Sequence, residues 1–194
     1  MLLNKFKNIP IILGSQSPRR KELLQKMGFD FQVVVKETDE HFDPQQTPQE
    51  IVEHIAIDKI QGFDSISFYD TLVITADTVV VCGGSILGKP RDQKEAFQTL
   101  HKLQGGDHRV LTAVALRYQG NLHCFIEETQ VTFYPLSEQE IFFYLENYRP
   151  FDKAGSYGIQ EWIGFIGIKS IHGSYENVVG LPTARLYQEM KKLV

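Results

Sequence analysis

Residues 71–82 read Thr-Leu-Val-Ile-Thr-Ala-Asp-Thr-Val-Val-Val-Cys, and the fold is decided there. Leu72, Val73 and Ile74, then Val79, Val80 and Val81, make a near-continuous apolar run of mostly β-branched residues. Such a run predicts a strand buried on both faces, which needs helices above and below its sheet. Into it is set the polar Thr75-Ala76-Asp77-Thr78. Burying an unpaired carboxylate costs several kcal/mol, so Asp77 should open onto a cleft with a metal, Lys or Arg beside it. An Asp that merely closes a strand is the competing reading.

Upstream, Pro10 to Leu13 predicts a short buried strand ended by Gly14. Ser17 stands as an N-cap with Pro18 at the first helical position, and Leu23, Leu24 and Met27 form the apolar stripe before Gly28 stops the helix. Phe31 to Val35 reads as a second strand, and Lys36 to Pro44, with Glu37, Asp39, Glu40 and Asp43, as an acidic loop. Thr47-Pro48-Gln49-Glu50 is a capping box that opens a helix carrying Ile51, Ile55 and Lys59 near one face.

Downstream, Gly83-Gly84 predicts a hairpin turn, and Leu87-Gly88-Lys89-Pro90 leads to a helix opened by the box Asp92-Gln93-Lys94-Glu95 and running to Leu103. Arg109 to Tyr118 and Leu122 to Phe133 alternate as paired strands around Gln119-Gly120-Asn121. Ser137-Glu138-Gln139-Glu140 is a third capping box. Residues 152–182, rich in Gly and aromatics, predict loops plus a strand around Ile166 to Ile171, before a last helix from Thr183 to Leu193. The expected architecture is a three-layer α/β domain with a mixed sheet and flanking helices, as one domain or one domain with two lobes.

The chain has 194 residues, of which 42% are hydrophobic and 23% charged, with 24 acidic against 20 basic side chains and a net charge of −4. Thirteen Phe and eight Tyr exclude disorder, and the negative balance argues against a nucleic-acid polymer as partner. An anionic ligand must therefore find a local positive site or bring its own cation. Cys82 and Cys124 lie in apolar runs and read as buried thiols of a reducing compartment. The start, Met1 to Lys7, is too short and too charged for a signal peptide, and no apolar run approaches the roughly 18 residues of a membrane span. These features make a cytoplasmic location without a membrane partner the expectation.

Five stretches could carry chemistry. In Leu13-Gly14-Ser15-Gln16-Ser17-Pro18-Arg19-Arg20, a strand delivers two hydroxyls and backbone N–H groups to a helix start, where anions bind. Arg19 and Arg20 oppose the helix dipole there, which a bound polyanion such as phosphate would offset; solvated arginines are the alternative. Asp77 is the second candidate and Lys89 the third, the latter also readable as a solvated surface lysine. Glu37 or Glu40 near Asp77 would suffice for Mg²⁺, which takes few carboxylates alongside water and phosphates. Lastly, Asp152-Lys153-Ala154-Gly155-Ser156-Tyr157-Gly158-Ile159-Gln160 allows close backbone approach, and Gln160 could read a base edge. The six histidines show no metal-ligand spacing, and His108 reads as structural. Nucleophile-elbow, P-loop and dinucleotide glycine patterns are missing from the sequence.

The order of these motifs resembles the Maf family of nucleoside-triphosphate pyrophosphatases. The matching stretches are Ser15 to Arg20, Asp39-Glu40, Ala56 to Lys59, Ala76-Asp77-Thr78, Gly88-Lys89-Pro90, Leu103 to His108, Asp152 to Gln160 and Gly173 to Pro182. The resemblance implies an elongated, two-lobed fold like that of inosine triphosphatases, with a central cleft and often a homodimer. It also implies metal-dependent hydrolysis of a nucleoside triphosphate to the monophosphate and pyrophosphate, on the dTTP and UTP branch. Asp77 falls on the family's general base, and Arg19, Thr78 and Gln160 on positions tied to substrate choice. Within that reading Arg20, Lys59 and Lys89, with Ser15 and Ser17, take the triphosphate, while Glu40 and Asp77 hold Mg²⁺ or Mn²⁺. Ile60 and Gln104 depart from the family's usual Ala and Ser, which touches local packing. An inosine-type purine pyrophosphatase and a nucleotide-sensing regulator of septum formation are the alternatives.

Overall fold

In the computed structural model, which describes residues 1–38 and 45–193, the first half of the chain forms α1 (Leu2–Phe6), β1 (Ile11–Leu13), α2 (Pro18–Lys26), β2 (Gln32–Val33), α3 (Pro48–Gln61), β3 (Leu72–Cys82) and β4 (Ser85–Leu87). The second half forms α4 (Gln93–Leu103), β5 (Asp107–Tyr118), β6 (Asn121–Phe133), α5 (Glu138–Tyr148), α6 (Trp162–Gly167), β7 (Ile168–His172), α7 (Tyr175–Val179) and α8 (Thr183–Met190). The strands make one mixed sheet in the order β2-β1-β3-β5-β6-β7, with β4 paired to β3. β1 runs parallel to β2 and β3, with Ile12 opposite Val73, whereas β4 pairs antiparallel with β3 and β7 with β6.

β3 is buried along nearly its whole length, as its composition predicts, and exposure rises only at Asp77, Thr78 and the last residue. The capping boxes at Thr47 and Ser137 are both fully formed. At Asp92 only half a box exists: Asp92 accepts from the Glu95 N–H, but the Glu95 carboxylate turns to the backbone N–H and Nε of Arg91. Gly83-Gly84 and Gln119-Gly120 carry consecutive positive φ angles, the geometry two-residue hairpins need.

The chain folds as two compact units. The first comprises Met1–Asp77, Thr112–Glu127 and Gly180–Val194, and the second Thr78–Leu111 and Glu128–Val179. Each has its own core. In the first, Leu13, Leu72 and Ile74 pack with Leu24, Val114, Leu186 and Met190. In the second, Leu100, Leu103, Phe133, Tyr144, Tyr157 and Ile163 pack together. A fully buried Leu or Ile contributes about 2 kcal/mol, so each unit has a substantial interior of its own.

Three further expectations need correction. The strand expected over Phe31 to Val35 is the two-residue β2, exposed at the sheet edge, because only one of its flanks has a partner. Residues 152–182 hold α6 and α7 beside the expected strand; their Gly and aromatic content hides helices too short to show a period. Cys82 and Cys124 are free but half-buried rather than buried, and desolvation pushes the Cys124 thiol up to about 12. No helix among the described residues is long and apolar enough to cross a membrane.

Candidate active site

In the first unit, α3 is docked onto β3 by two polar contacts that step together. Thr75, fully buried, donates its hydroxyl to the Ala56 carbonyl at 2.7 Å. Two residues along the strand and three along the helix, Lys59 Nζ donates to Asp77 Oδ1 at 2.8 Å. The two side chains are 18% and 16% exposed, so this ion pair is shielded yet open at one side. Asp77 has the cationic partner that a shielded carboxylate requires. Gly14, where β1 ends, permits this approach, since a Cβ there would lie 2.7 Å from Thr75 Cγ2 and 3.1 Å from the Phe63 ring.

The loop from Ser15 to Arg20 lies in the same unit. Ser17 caps α2, its Oγ accepting from the Arg20 N–H at 3.4 Å, and Ser15 Oγ accepts from the Ser17 N–H at 3.3 Å. Both are longer than the usual 2.7–3.2 Å range. Arg20 is folded inward: Nε donates to the Gly180 carbonyl at 2.8 Å, and Nη1 to the Ala76 carbonyl at 2.8 Å and Ser15 Oγ at 3.2 Å. Arg19 is half-buried in the first turn of α2. Glu40, the other carboxylate expected at the metal, lies outside the described residues.

In the second unit, the Lys89 and Gln160 motifs meet through the backbone: the Gly155 N–H donates to the Gly88 carbonyl at 3.2 Å. Gly155 has a φ of +71°, and a Cβ there would sit 2.8 Å from Val80 Cγ2. Lys89 itself is exposed. The loop ending at Gln160 is braced from its own Asp152 and Lys153 and from Tyr144 and Glu161, the last two not singled out by the sequence reading. Lys153 Nζ reaches Glu161 at 3.1 Å and Asp152 at 2.8 Å, Tyr144 donates its hydroxyl to Glu161, and that hydroxyl accepts from the Gly158 N–H at 3.0 Å. Burial and Glu161 together push the Tyr144 hydroxyl well above its ordinary value. Nothing in the local sequence marks Glu161, because its partners come from other segments. Gln160 Oε1 is buried with no hydrogen-bond partner among the described residues. Thr78 is half-buried at the first position of this unit.

His108 is buried as expected, its Nε2 at 2.7 Å from the Tyr157 hydroxyl and its ring stacked on Phe133. Desolvation lowers its pKa to about 4, so the imidazole is neutral. Among the described residues no three His, Cys, Asp or Glu side chains gather as a metal cluster.

A family model described as Maf-like protein matches residues 10–193, almost the whole chain. The chain belongs to the Maf family. Among its Maf relatives, a protein of Flavobacterium psychrophilum named dTTP/UTP pyrophosphatase is 48% identical, the match covering 96% of each chain. One of Phocaeicola vulgatus, with the same name, is 46% identical over 99% of this chain and all of its own. The solved structure of the Staphylococcus aureus Ham1 protein matches with a TM-score of 0.51 at 13% identity, covering 93% of this chain and 99% of that one, a likeness of fold. The two residues that depart from the usual Maf pattern are accommodated. Ile60 is fully buried, and Gln104 Oε1 accepts from the Leu136 N–H at 3.2 Å.

Proposed function

We propose that this Maf protein hydrolyses dTTP and UTP to the nucleoside monophosphate and pyrophosphate in the cytoplasm. The observation that carries the reading is the shielded Lys59–Asp77 pair, in one unit with a serine- and arginine-rich helix start. A polyphosphate needs cations and amides, and a hydrolase needs a base that can reach water; this constellation supplies both.

In the proposed reaction a water oxygen attacks the α-phosphorus, the bond from that phosphorus to the bridging α,β-oxygen breaks, and pyrophosphate leaves. Asp77 accepts the proton of the attacking water. Lys59 neutralises the carboxylate in the free protein and turns to the phosphate oxygens as negative charge gathers there. Ser15, Ser17 and the first turn of α2 hold phosphate oxygens, and Lys89 adds a further cation. Arg19, Thr78 and Gln160 select the pyrimidine. The amide of the half-buried Gln160 offers an acceptor that suits the N3–H of uracil or thymine and a donor that suits O4. One carboxylate with substrate phosphates and water is a donor set that suits Mg²⁺ or Mn²⁺. Asp77, with Glu40, would hold that cation, which supplies charge neutralisation at the phosphates when bound.

The test is a panel of dTTP, UTP, CTP, ATP and ITP with Mg²⁺ or Mn²⁺, scoring monophosphate and pyrophosphate. Preference for dTTP and UTP supports the reading. Preference for ITP would make the protein a purine-directed enzyme, and binding without turnover would make it a sensor.

A further inference from the structure

The edge of β3 beside β1 carries a hydrogen-bond ladder that outlasts its partner strand. β1 pairs with Leu72 to Ile74, and the ladder's last strand-type bond runs from the Gly14 N–H to the Ile74 carbonyl at 2.8 Å. Carbonyls alternate along a strand, so that of Ala76 points to the same side as that of Ile74, one step past the end of β1. The chain has turned away into the Ser15–Ser17 loop by then, and Arg20 Nη1 occupies the missing donor's place at 2.8 Å. The same guanidinium ties Ser15 Oγ and the Gly180 carbonyl, at the turn before α8. One planar group thus joins three chain segments at the peptide that leads into Asp77.

We infer that Arg20 is a positioning residue: it continues the β3 ladder past β1 and so fixes the Ala76–Asp77 peptide, and with it the direction of the Asp77 carboxylate. This role accounts for a cation in the first turn of α2 without requiring phosphate at its Nε and Nη1 donors, which serve protein oxygens. It also explains why arginine stands here. A lysine ammonium can neither span these acceptors in one plane nor hold the fork rigid. The inference rests on Asp77 being the base of the proposed hydrolysis, because a misdirected base costs turnover while leaving the grip on the nucleotide intact.

The experiment compares wild type with Arg20→Gln and Arg20→Lys in three readouts: kcat on dTTP, affinity for a non-hydrolysable α,β-imido dUTP, and amide hydrogen exchange of the Thr75 to Val79 segment. Arg20→Gln is expected to lose roughly 100-fold in kcat, hold the analogue within a few-fold of wild type, and exchange faster at that segment. Arg20→Lys is expected to show the same pattern in milder form, and it serves alone if the glutamine variant does not fold. Loss of analogue affinity in step with kcat would overturn the inference and give Arg20 to the phosphates; unchanged kcat or unchanged exchange would overturn it too. Wild-type protein without turnover would remove the pyrophosphatase reading instead, while the exchange readout would still decide whether Arg20 orders this strand.

Discussion

The two units of the molecule differ in how they meet some of their most buried titratable groups. In the first, charge is met by charge: Glu189, whose side chain is 2% exposed, is held by Arg185 at 2.7 Å and His123 at 3.0 Å, and by Lys192. Its carboxyl is lowered to about 2, chiefly by the hydrogen bonds from Lys192 and Arg185. The Lys59–Asp77 pair follows the same rule. In the second unit a deeply buried titratable pair, His108 with Tyr157, is neutral, with the imidazole lowered and the phenol raised by burial. Lys153 is the exception there, and its ion pairs brace a loop. An ionic interior suits a polyanion and a charged base for water. A neutral one suits a ligand read by shape and hydrogen bonds, as a nucleobase is.

The largest effect should come from removing the base of the ionic unit. Asp77→Asn keeps the shape and loses the proton acceptor, so kcat should fall roughly 1,000-fold, about 4 kcal/mol of barrier. Affinity for the α,β-imido analogue, measured by calorimetry, should stay within several-fold. A variant that turns over normally would remove Asp77 from the chemistry, and with it the contrast between the units.

What could be read from sequence divides along the same physical lines. Asp77 was legible because a carboxylate inside a valine-rich strand demands a partner, and the helix starts at Thr47 and Ser137 because a capping box is a local pattern. Lys59 was legible as a helix-face cation, but its pairing with Asp77 depends on where Thr75 docks α3, a contact 19 residues apart in sequence. The inward turn of Arg20 was not legible at all, because two of its acceptors are backbone carbonyls, of Ala76 and Gly180, that no residue type announces. The same holds for the Glu161 brace and for α6 and α7, whose length leaves no periodic signal.

Acid should separate the two units' contributions to stability. His108 takes up protons below its ordinary 6.5 when unfolded but only below about 4 when folded. Its contribution is therefore complete above 6.5 and lost as pH falls toward 4. The loss should be about 3 kcal/mol, read by urea unfolding across that interval, and His108→Gln should flatten it. Glu189 acts lower. Its stabilisation is complete above its ordinary 4.5 and is lost as pH falls through about 2. Lys192 and Arg185 are 65% and 48% exposed, so water screens them and the loss should be nearer 2 kcal/mol. Glu189→Gln should remove the lower step alone. A single step untouched by either variant would break the comparison.

The smallest effect tests the neutral unit's proposed task. Uracil and thymine present an N3–H donor beside an O4 acceptor, and cytosine presents the reverse. The Gln160 amide complements the first pattern with Oε1 toward N3–H and Nε2 toward O4, and meets the second only if turned over. Gln160→Ala should therefore lower the kcat/KM ratio of UTP over CTP about ten-fold, about 1.4 kcal/mol, chiefly by weakening UTP. Turnover of the bound pyrimidine should change far less, because Asp77 and Lys59 are untouched. If the ratio holds while kcat collapses, Gln160 belongs with the chemistry rather than with base selection, and a neutral interior would then carry no selective meaning in this fold.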